Sequence, residues 1–330
     1  MSKCWTTHEV LCYSNKYNRL FERTIHGIIK LAFNNYYLKA KGYMTNTYRL
    51  EQKLNDLNNP IWALDKYADF AVLQAYENVE MKELSESLLN KYKLKGIYLK
   101  KRFINDPKQE NLTELVAGEE APDEMEVVEN DLKFLIKLKE RLDVGLFLDH
   151  RISREMITDY AKNKSVLNLF AYTGSFSIYA AATGAKSTTT VDLSNNYCTW
   201  AQRNFELNGI EANYKGKGHG SPHEIWHEDV FEFIKIAIET HSKYDIIILD
   251  PPSFSRNKSK VFNVQNDHEE LIRSLQRNLL NPGGFILFST NLSSFVLSKY
   301  IRPGADKMTN KTVPKEFLPF RVHQSFVFYG

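Results

Sequence analysis

The stretch from Val166 to Asp192 constrains the fold of this chain more than any other. It begins with a short apolar run, Val166-Leu167-Asn168-Leu169, and enters a turn at Phe170-Ala171-Tyr172-Thr173-Gly174. Small residues follow at Ile178-Tyr179-Ala180-Ala181-Ala182, and then a β-branched run, Thr188-Thr189-Thr190-Val191, ends on the carboxylate of Asp192. Strand, glycine turn, helix and second strand make a βαβ unit. Its acid lies about 20 residues beyond the glycine turn, the spacing that holds a ribose at the carboxyl edge of an open α/β sheet. One glycine stands where the dinucleotide fingerprint has three, so a pyrophosphate finds no cradle of glycine amides. A nucleoside without phosphate, such as S-adenosylmethionine (SAM), needs none. Gly174 is expected to let such a ligand approach the backbone.

A second motif lies far along the chain. Tyr244-Asp245-Ile246-Ile247-Ile248-Leu249 is a continuous apolar run of the buried parallel-strand kind, and it runs straight into Asp250-Pro251-Pro252-Ser253-Phe254. Two prolines remove two backbone donors and stiffen the turn, projecting Asp250 and Phe254 over the strand end. Alone, the pentapeptide is a moderately specific signal, the alternative being a rigid loop. Behind a βαβ unit with an acidic second strand, it is the signature of SAM-dependent transferases that methylate nucleobase nitrogens. In transferases with that signature the turn faces the target base, so the likeness implies that Asp250 and the carbonyls of Pro251 and Pro252 orient the base and that Phe254 stacks on it.

These motifs give the chain its resemblance to the bacterial large-subunit ribosomal RNA methyltransferases, in particular the guanine-N7 enzyme that forms the K half of the bifunctional K/L protein. The matching stretches are Gly145 to Arg151, Leu167 to Gly174, Ser187 to Ser194, Trp200 to Asn204, Asp250 to Ser255 and Phe262 to His268. The resemblance implies a Rossmann-like class I SAM methyltransferase with a seven-stranded mixed sheet, preceded by a smaller α/β RNA-binding domain. It implies SAM as cofactor and 23S ribosomal RNA, naked or in an early assembly intermediate, as substrate. The cofactor residues it suggests are Asp149, Arg151, Asn168, Phe170, Tyr172, Thr173, Gly174, Asp192, Leu193, Ser194, Asp229, Val230 and Asp250. In this family the segment at Asp149 and Arg151 lines the pocket beside the methionine part of SAM. Arg151 could meet the cofactor carboxylate and Asp149 its ammonium group; equally, Asp149 could cap a helix and Arg151 lie on the surface. His150 is expected to be structural. Asp229, at the end of a third strand, is expected to accept from the adenine amino group, with Val230 against the ring.

Three segments organise the chain: a basic N-terminal helical segment at residues 1–42, a small α/β RNA-binding domain at 43–135 and the methyltransferase domain at 136–330. From Met1 to Ile104 there are 17 Lys/Arg against 10 Asp/Glu, whereas Asn105 to Asp131 holds one Lys against ten acids. Apolar residues at helical spacing from Tyr17 to Lys41, interleaved with Lys and Arg, read as an amphipathic basic helix that either follows a phosphate backbone or braces the next module. Residues Asn105 to Ala121 read as a mobile acidic loop and Met125 to Ile136 as a hairpin. Tyr48, Tyr67, Tyr76 and Tyr98 could stack bases or pack across a sheet. With Ser253 and Phe254, the cations Arg256, Lys258 and Lys260 are placed to meet RNA phosphates, the alternative being a basic surface loop. Closing antiparallel strands are expected between Phe317 and Phe328, after an irregular stretch from Val296 to Val313.

Cys4, Cys12 and Cys198 are odd in number and form no C-x-x-C pair, which argues against disulfides and structural zinc. His227 and Glu228 fall on opposite strand faces, so no metal is expected. No run approaches the roughly 18 apolar residues of a membrane span, and the N-terminus is not a signal peptide, so a cytoplasmic protein is expected. Guanine N7 carries no proton in the neutral base, so its methylation requires alignment rather than a general base. The related cytosine-C5 reaction needs a cysteine nucleophile, and no cysteine follows Cys198. An exocyclic amine such as guanine N2 remains open as a target, as does a non-catalytic RNA-binding assembly factor on the same fold.

Overall fold

The computed structural model describes residues 43–78, 80–103, 113–139, 144–214, 219–256, 261–320 and 322–330. The expected basic helix between Tyr17 and Lys41 lies outside these residues, as do Lys258, Lys260 and the side chain of Arg256.

Five strands form the first sheet, in the spatial order β1 (Thr47–Leu54), β2 (Pro60–Tyr67), β3 (Phe70–Ala75), β4 (Gly96–Lys101) and β5 (Thr113–Gly118). β3 and β4 run parallel, joined across helix α1 (Lys82–Tyr92), and the other neighbours are antiparallel. β5 corrects the reading of 105–121 as a loop throughout. Leu115, Val116 and Ala117 are apolar enough to pair against β4, while the acids around them suit a half-exposed edge strand. Tyr67 and Tyr98 are buried, and the Tyr98 hydroxyl accepts from the Ala121 amide at 2.8 Å, so Tyr98 belongs to packing.

The hairpin of β6 (Met125–Glu129) and β7 (Leu132–Ile136) turns at Asn130 and Asp131, both left-handed (φ 52° and 66°), the residue types that a two-residue hairpin turn favours. Phe134 and Ile136 from this hairpin pack in one core with Phe70 and Tyr98 of the first sheet and Tyr179 and Phe205 further on.

Apolar runs flanked by helices give the second sheet. Its seven strands stand in the order β10 (His223–His227), β9 (Ser187–Asp192), β8 (Ser165–Leu169), β11 (Tyr244–Leu249), β14 (Leu280–Thr290), β16 (Gln324–Tyr329) and β15 (Ala305–Lys307). The first five are parallel and β16 is antiparallel between β14 and β15. β15 falls inside the stretch expected to be irregular, and Phe317 sits in a 3-10 turn rather than a strand. Pro314 and Pro319 flank that turn and cannot donate to a ladder.

Helices α2 (Arg151–Tyr160), α3 (Ser175–Ala182), α4 (Asn195–Leu207), α5 (Val230–Glu239), α6 (Val264–Asn278) and the short α7 (Thr309–Thr312) complete the unit. A small hairpin, β12 (Phe254–Arg256) with β13 (Val261–Asn263), follows the twin-proline corner. From β8 the chain winds outward to β9 and β10, then returns to β11 on the other side of β8. That reversal is a topological switch point, where open α/β sheets open a crevice beyond their carboxyl ends. Leu249 pairs with Leu169, and Leu169 with Val191, so Phe170, Asp192 and Asp250 leave their strands at one edge. Among the described residues, no helix is long and apolar enough to cross a membrane.

Candidate active site

The turn after β8 is wound into the left-handed region at Phe170 (φ 56°), Tyr172 (φ 52°) and Gly174 (φ 77°). For the two aromatic residues this is strained, by roughly 1–3 kcal/mol each. The surroundings fix it residue by residue. Ala171 N donates to Val191 O at 3.0 Å, Tyr172 N to Asp192 Oδ2 at 2.8 Å and the Thr173 hydroxyl to Gly145 O at 2.7 Å. Asn204 donates to Thr173 O at 3.1 Å and accepts from Leu135 N at 2.9 Å, tying the turn to the β6–β7 hairpin. A Cβ on Gly174 would stand 3.0 Å from the Ala201 methyl group, so this glycine admits α4 rather than a ligand. Thr173 is fully buried, and neither residue lines the cleft; both support it from beneath.

Asp192 presents a carboxylate held by two amides, Tyr172 N on Oδ2 and Ser194 N on Oδ1, each at 2.8 Å. Burial raises its pKa, and the two amides oppose the rise. Leu193 and Ser194 follow along the cleft, the Ser194 hydroxyl capping α4. Asp229 caps α5 through the Phe231 and Glu232 amides at 2.9 and 3.3 Å, with Val230 buried beside it. The buried Asn168 donates to the Ser177 hydroxyl at 3.0 Å. Asp250 accepts the Ser289 hydroxyl at 2.5 Å on Oδ1, and its Oδ2 lies 3.4 Å from His150 Nε2.

These side chains line one cleft of about 500 Å³, together with Phe147, Asp149, His150, Phe170, Tyr172, Pro251, Pro252 and Asn291. Among the described residues, four carboxylates, Asp149, Asp192, Asp229 and Asp250, face it against a single guanidinium, that of Arg154. Arg154 is already committed, donating from Nε and Nη2 to Glu129 at 2.8 and 2.9 Å. An anionic pyrophosphate meets repulsion in such a cleft. A nucleoside carrying a sulfonium and an ammonium group meets complementary charge.

Arg151 does not join the cleft, contrary to either expectation for it. It is buried, with Nη2 2.5 Å from Glu316 Oε1, because α2 turns it away from the strand edge and under the C-terminal segment. Asp149 does line the cleft but caps no helix. Its Oδ2 lies 2.9 Å from His323 Nδ1, whose Nε2 is 3.2 Å from the Thr312 hydroxyl. Burial pushes the Asp149 pKa up, but His150, His323 and Arg154 more than reverse that and hold it well below the carboxylate range. The His150 and His323 rings stack at 4.2 Å with 11° between planes. Asp149, His150 and His323 have the residue types of a metal triad. Stacked rings, however, direct their in-plane lone pairs along parallel planes, which do not meet at one ion.

The twin-proline corner brings Pro251 and Pro252 to the cleft, while Ser253 turns aside to donate to Asn291 Oδ1 at 2.7 Å. Phe254 lies outside the lining and is 57% exposed. Strand alternation explains this. Ser255 pairs with Phe262 and enters the cleft, so its neighbour Phe254 faces the opposite way. His150, Ser289 and Asn291 are among the residues that sequence reasoning missed, as are Phe147 and Arg154. His150 stood inside a quoted motif; Ser289 and Asn291 had no local signal.

Burial lowers the pKa of His150, opposed by Asp250 and Asp149 and aided by His323 and Arg154. Burial likewise lowers those of His223 and His268. The folded protein thus resists protons that the unfolded chain accepts below its ordinary histidine pKa, so stability falls as pH drops from about 6.5, by at most about 1.4 kcal/mol per pH unit per histidine. His150→Asn is expected to flatten the plot of melting temperature against pH between 7 and 5.5, and parallel slopes would refute the assignment.

The mixed sheet, its switch point and the cationic-ligand cleft define a class I SAM methyltransferase fold. Residues 87–303 match the family model for S-adenosylmethionine-dependent methyltransferase, and the chain belongs to that family, whose cofactor is SAM. It is 40% identical over 221 residues to ribosomal RNA large subunit methyltransferase K of Neisseria meningitidis serogroup B, which covers 66% of this chain and 60% of that protein. It is 35% identical to ribosomal RNA large subunit methyltransferase K/L of Shewanella sediminis over 88% of this chain and 41% of the relative. The chain thus spans only part of the length of these relatives. A crystal structure of a putative methyltransferase complexed with SAH superposes with a TM-score of 0.72 at 28% identity, covering 90% of this chain and 79% of the other.

Proposed function

We propose that the protein transfers the SAM methyl group to a guanine of large-subunit ribosomal RNA, at N7. One observation carries this reading: a carboxylate-lined, phosphate-repelling cleft bounded by the Asp250-Pro251-Pro252 corner. The printed names of the similar K and K/L proteins support the RNA substrate.

When bound, SAM supplies an electrophilic methyl group on a sulfonium. Asp192 meets the ribose, Asp229 and Val230 flank the adenine, and Asp149 accepts from the ammonium group. Asp250 and the carbonyls of Pro251 and Pro252 orient guanine by its donor edge. Methylation at N7 leaves a positive ring, and Asp250 meets that developing charge. The target base must leave its stack to reach the corner. The residue expected beside the base, Phe254, then stacks at the rim on its hairpin, with Ser253, Arg256, Lys258 and Lys260 serving the RNA strand.

A second reading has its own support. His150, neutral through burial and 3.4 Å from Asp250, is a proton acceptor of the kind that methylation of an exocyclic amine needs. A cysteine-dependent C5 reaction has no such support, because among the described residues no cysteine lines the cleft and Cys198 is buried against Asp192 O and Trp226 O.

Labelled SAM and unmodified ribosomal RNA, followed by nucleoside mass spectrometry, tests the proposal: 7-methylguanosine supports it, N2-methylguanosine favours the second reading and no transfer rejects both. Asp192→Ala is expected to weaken SAH binding about 10–100-fold by calorimetry, since the ribose loses its acceptor and two amides lose theirs. Unchanged affinity would remove Asp192 from the cofactor site.

A further inference from the structure

A second cavity, of about 480 Å³, opens beside the cofactor cleft and shares Phe147, Asp149 and Asn291 with it. We infer that this cavity receives the nucleotide that adjoins the target guanine, so that the five-stranded sheet forms one wall of the substrate pocket and Arg102 holds that nucleotide's phosphate. The inference rests on the proposed RNA substrate and specifies where that substrate enters.

The charge of the two spaces is opposite. Among the described residues, the cofactor cleft has four carboxylates and one committed guanidinium. Among the described residues, the second cavity has three cations, Arg49, Lys100 and Arg102, against Asp65 and Asp149. A cationic cofactor and an anionic nucleotide are thereby sorted to different sides of Asn291.

Its polar lining is ordered in advance. Arg49 Nε and Nη2 donate to the two oxygens of Asp65 at 2.7 and 3.1 Å, both residues being almost fully buried. Gln74 donates to Asp65 and accepts from Arg102 Nε at 3.0 Å. This chain fixes the Arg102 guanidinium, whose remaining donors have the fork geometry that suits a phosphate. Lys100, 5% exposed, lies in the same wall. Tyr67, Tyr76, Phe147 and Phe317 give the cavity flat apolar faces, and the Arg49 guanidinium covers the Phe317 ring at 4.0 Å. Stacking faces with adjoining donors are what an unstacked base requires.

The test uses the full chain, labelled SAM and unmodified large-subunit ribosomal RNA, with SAH affinity and melting temperature measured alongside. Val322→Trp fills the cavity and is expected to lower kcat/KM for RNA about 100-fold by displacing the nucleotide. Arg102→Gln is expected to raise KM for RNA about 10-fold or more through loss of a phosphate contact. SAH affinity should hold within about twofold in both, since neither residue lines the cofactor cleft. Should Val322→Trp misfold, Arg102→Gln alone decides. Wild-type transfer matched by both variants overturns the cavity assignment and leaves the proposed function standing. Failure of the wild-type protein to methylate RNA while it binds SAH removes the proposed function, and this inference with it.

Discussion

Asp250→Ala is expected to lower the single-turnover rate of methyl transfer by at least about 10²–10³-fold while the protein stays folded. Asp250 leaves β11 where the sheet reverses, beside the cleft and next to the twin-proline corner. Ser289 fixes one carboxylate oxygen at 2.5 Å, and His150 stands 3.4 Å from the other. A group held this way orients the base and faces the charge that develops on it, effects of the stated size. Its side chain is 27% exposed, so truncation forfeits chiefly the Ser289 bond, about 0.5–1.5 kcal/mol, and the fold tolerates that. Asp250→Asn separates orientation from charge. It keeps an oxygen for Ser289 but no negative charge, so an intermediate rate points to charge stabilisation of an N7-methylated ring. Circular dichroism and SAH binding establish that each variant is folded. Near wild-type turnover in Asp250→Ala would remove Asp250 from the reaction.

The sequence located the edge of the sheet better than it located side chains. Periodicity and β-branched runs are local properties, and they mark β8, β9 and β11 because parallel strands buried on both faces must be apolar along their length. The acids at strand ends follow from the same pattern, which is why Asp192, Asp229 and Asp250 were readable. Side-chain direction was not. Phe254 looked like a residue inside the cleft until its pairing with Asn263 fixed which face Ser255 takes and left Phe254 at the rim. Arg151 read equally as a cofactor ligand or a surface residue because its partner Glu316 lies 165 positions away, and nothing local announces a pair closed by tertiary structure. The same holds for His150, whose neighbours Asp250 and His323 come from separate parts of the chain. Gly174 carried the right signal for the wrong neighbour: glycine was required, but to admit Ala201.

The largest loss of stability is expected from Arg154→Met, about 3–5 kcal/mol in urea unfolding, the range for breaking a buried ion pair on one side. Arg154 and Glu129 are essentially inaccessible, at 1% and 0% side-chain exposure. Arg154 also donates to Phe147 O at 2.9 Å, and the Tyr179 hydroxyl donates to Glu129 Oε1 at 2.9 Å. The Tyr179 pKa is driven well above the tyrosine range by burial and then by the Glu129 charge, so the hydroxyl remains a donor. Without Arg154 the Glu129 carboxylate stays in the core with only Tyr179 to satisfy it. Replacing both members by apolar residues removes the uncompensated charge, so Arg154→Met with Glu129→Met should recover most of the loss. That recovery distinguishes a desolvated charge from simple loss of packing, which would make the double variant worse than either single one. The clamp also joins the β6–β7 hairpin to α2 and to Phe147, a residue that borders both cavities. Folded Arg154→Met should therefore bind SAH more weakly, and the double variant should not regain that affinity, because Phe147 O still lacks its donor. A single variant within about 1 kcal/mol of wild type would show that the pair is not the clamp between hairpin and cleft.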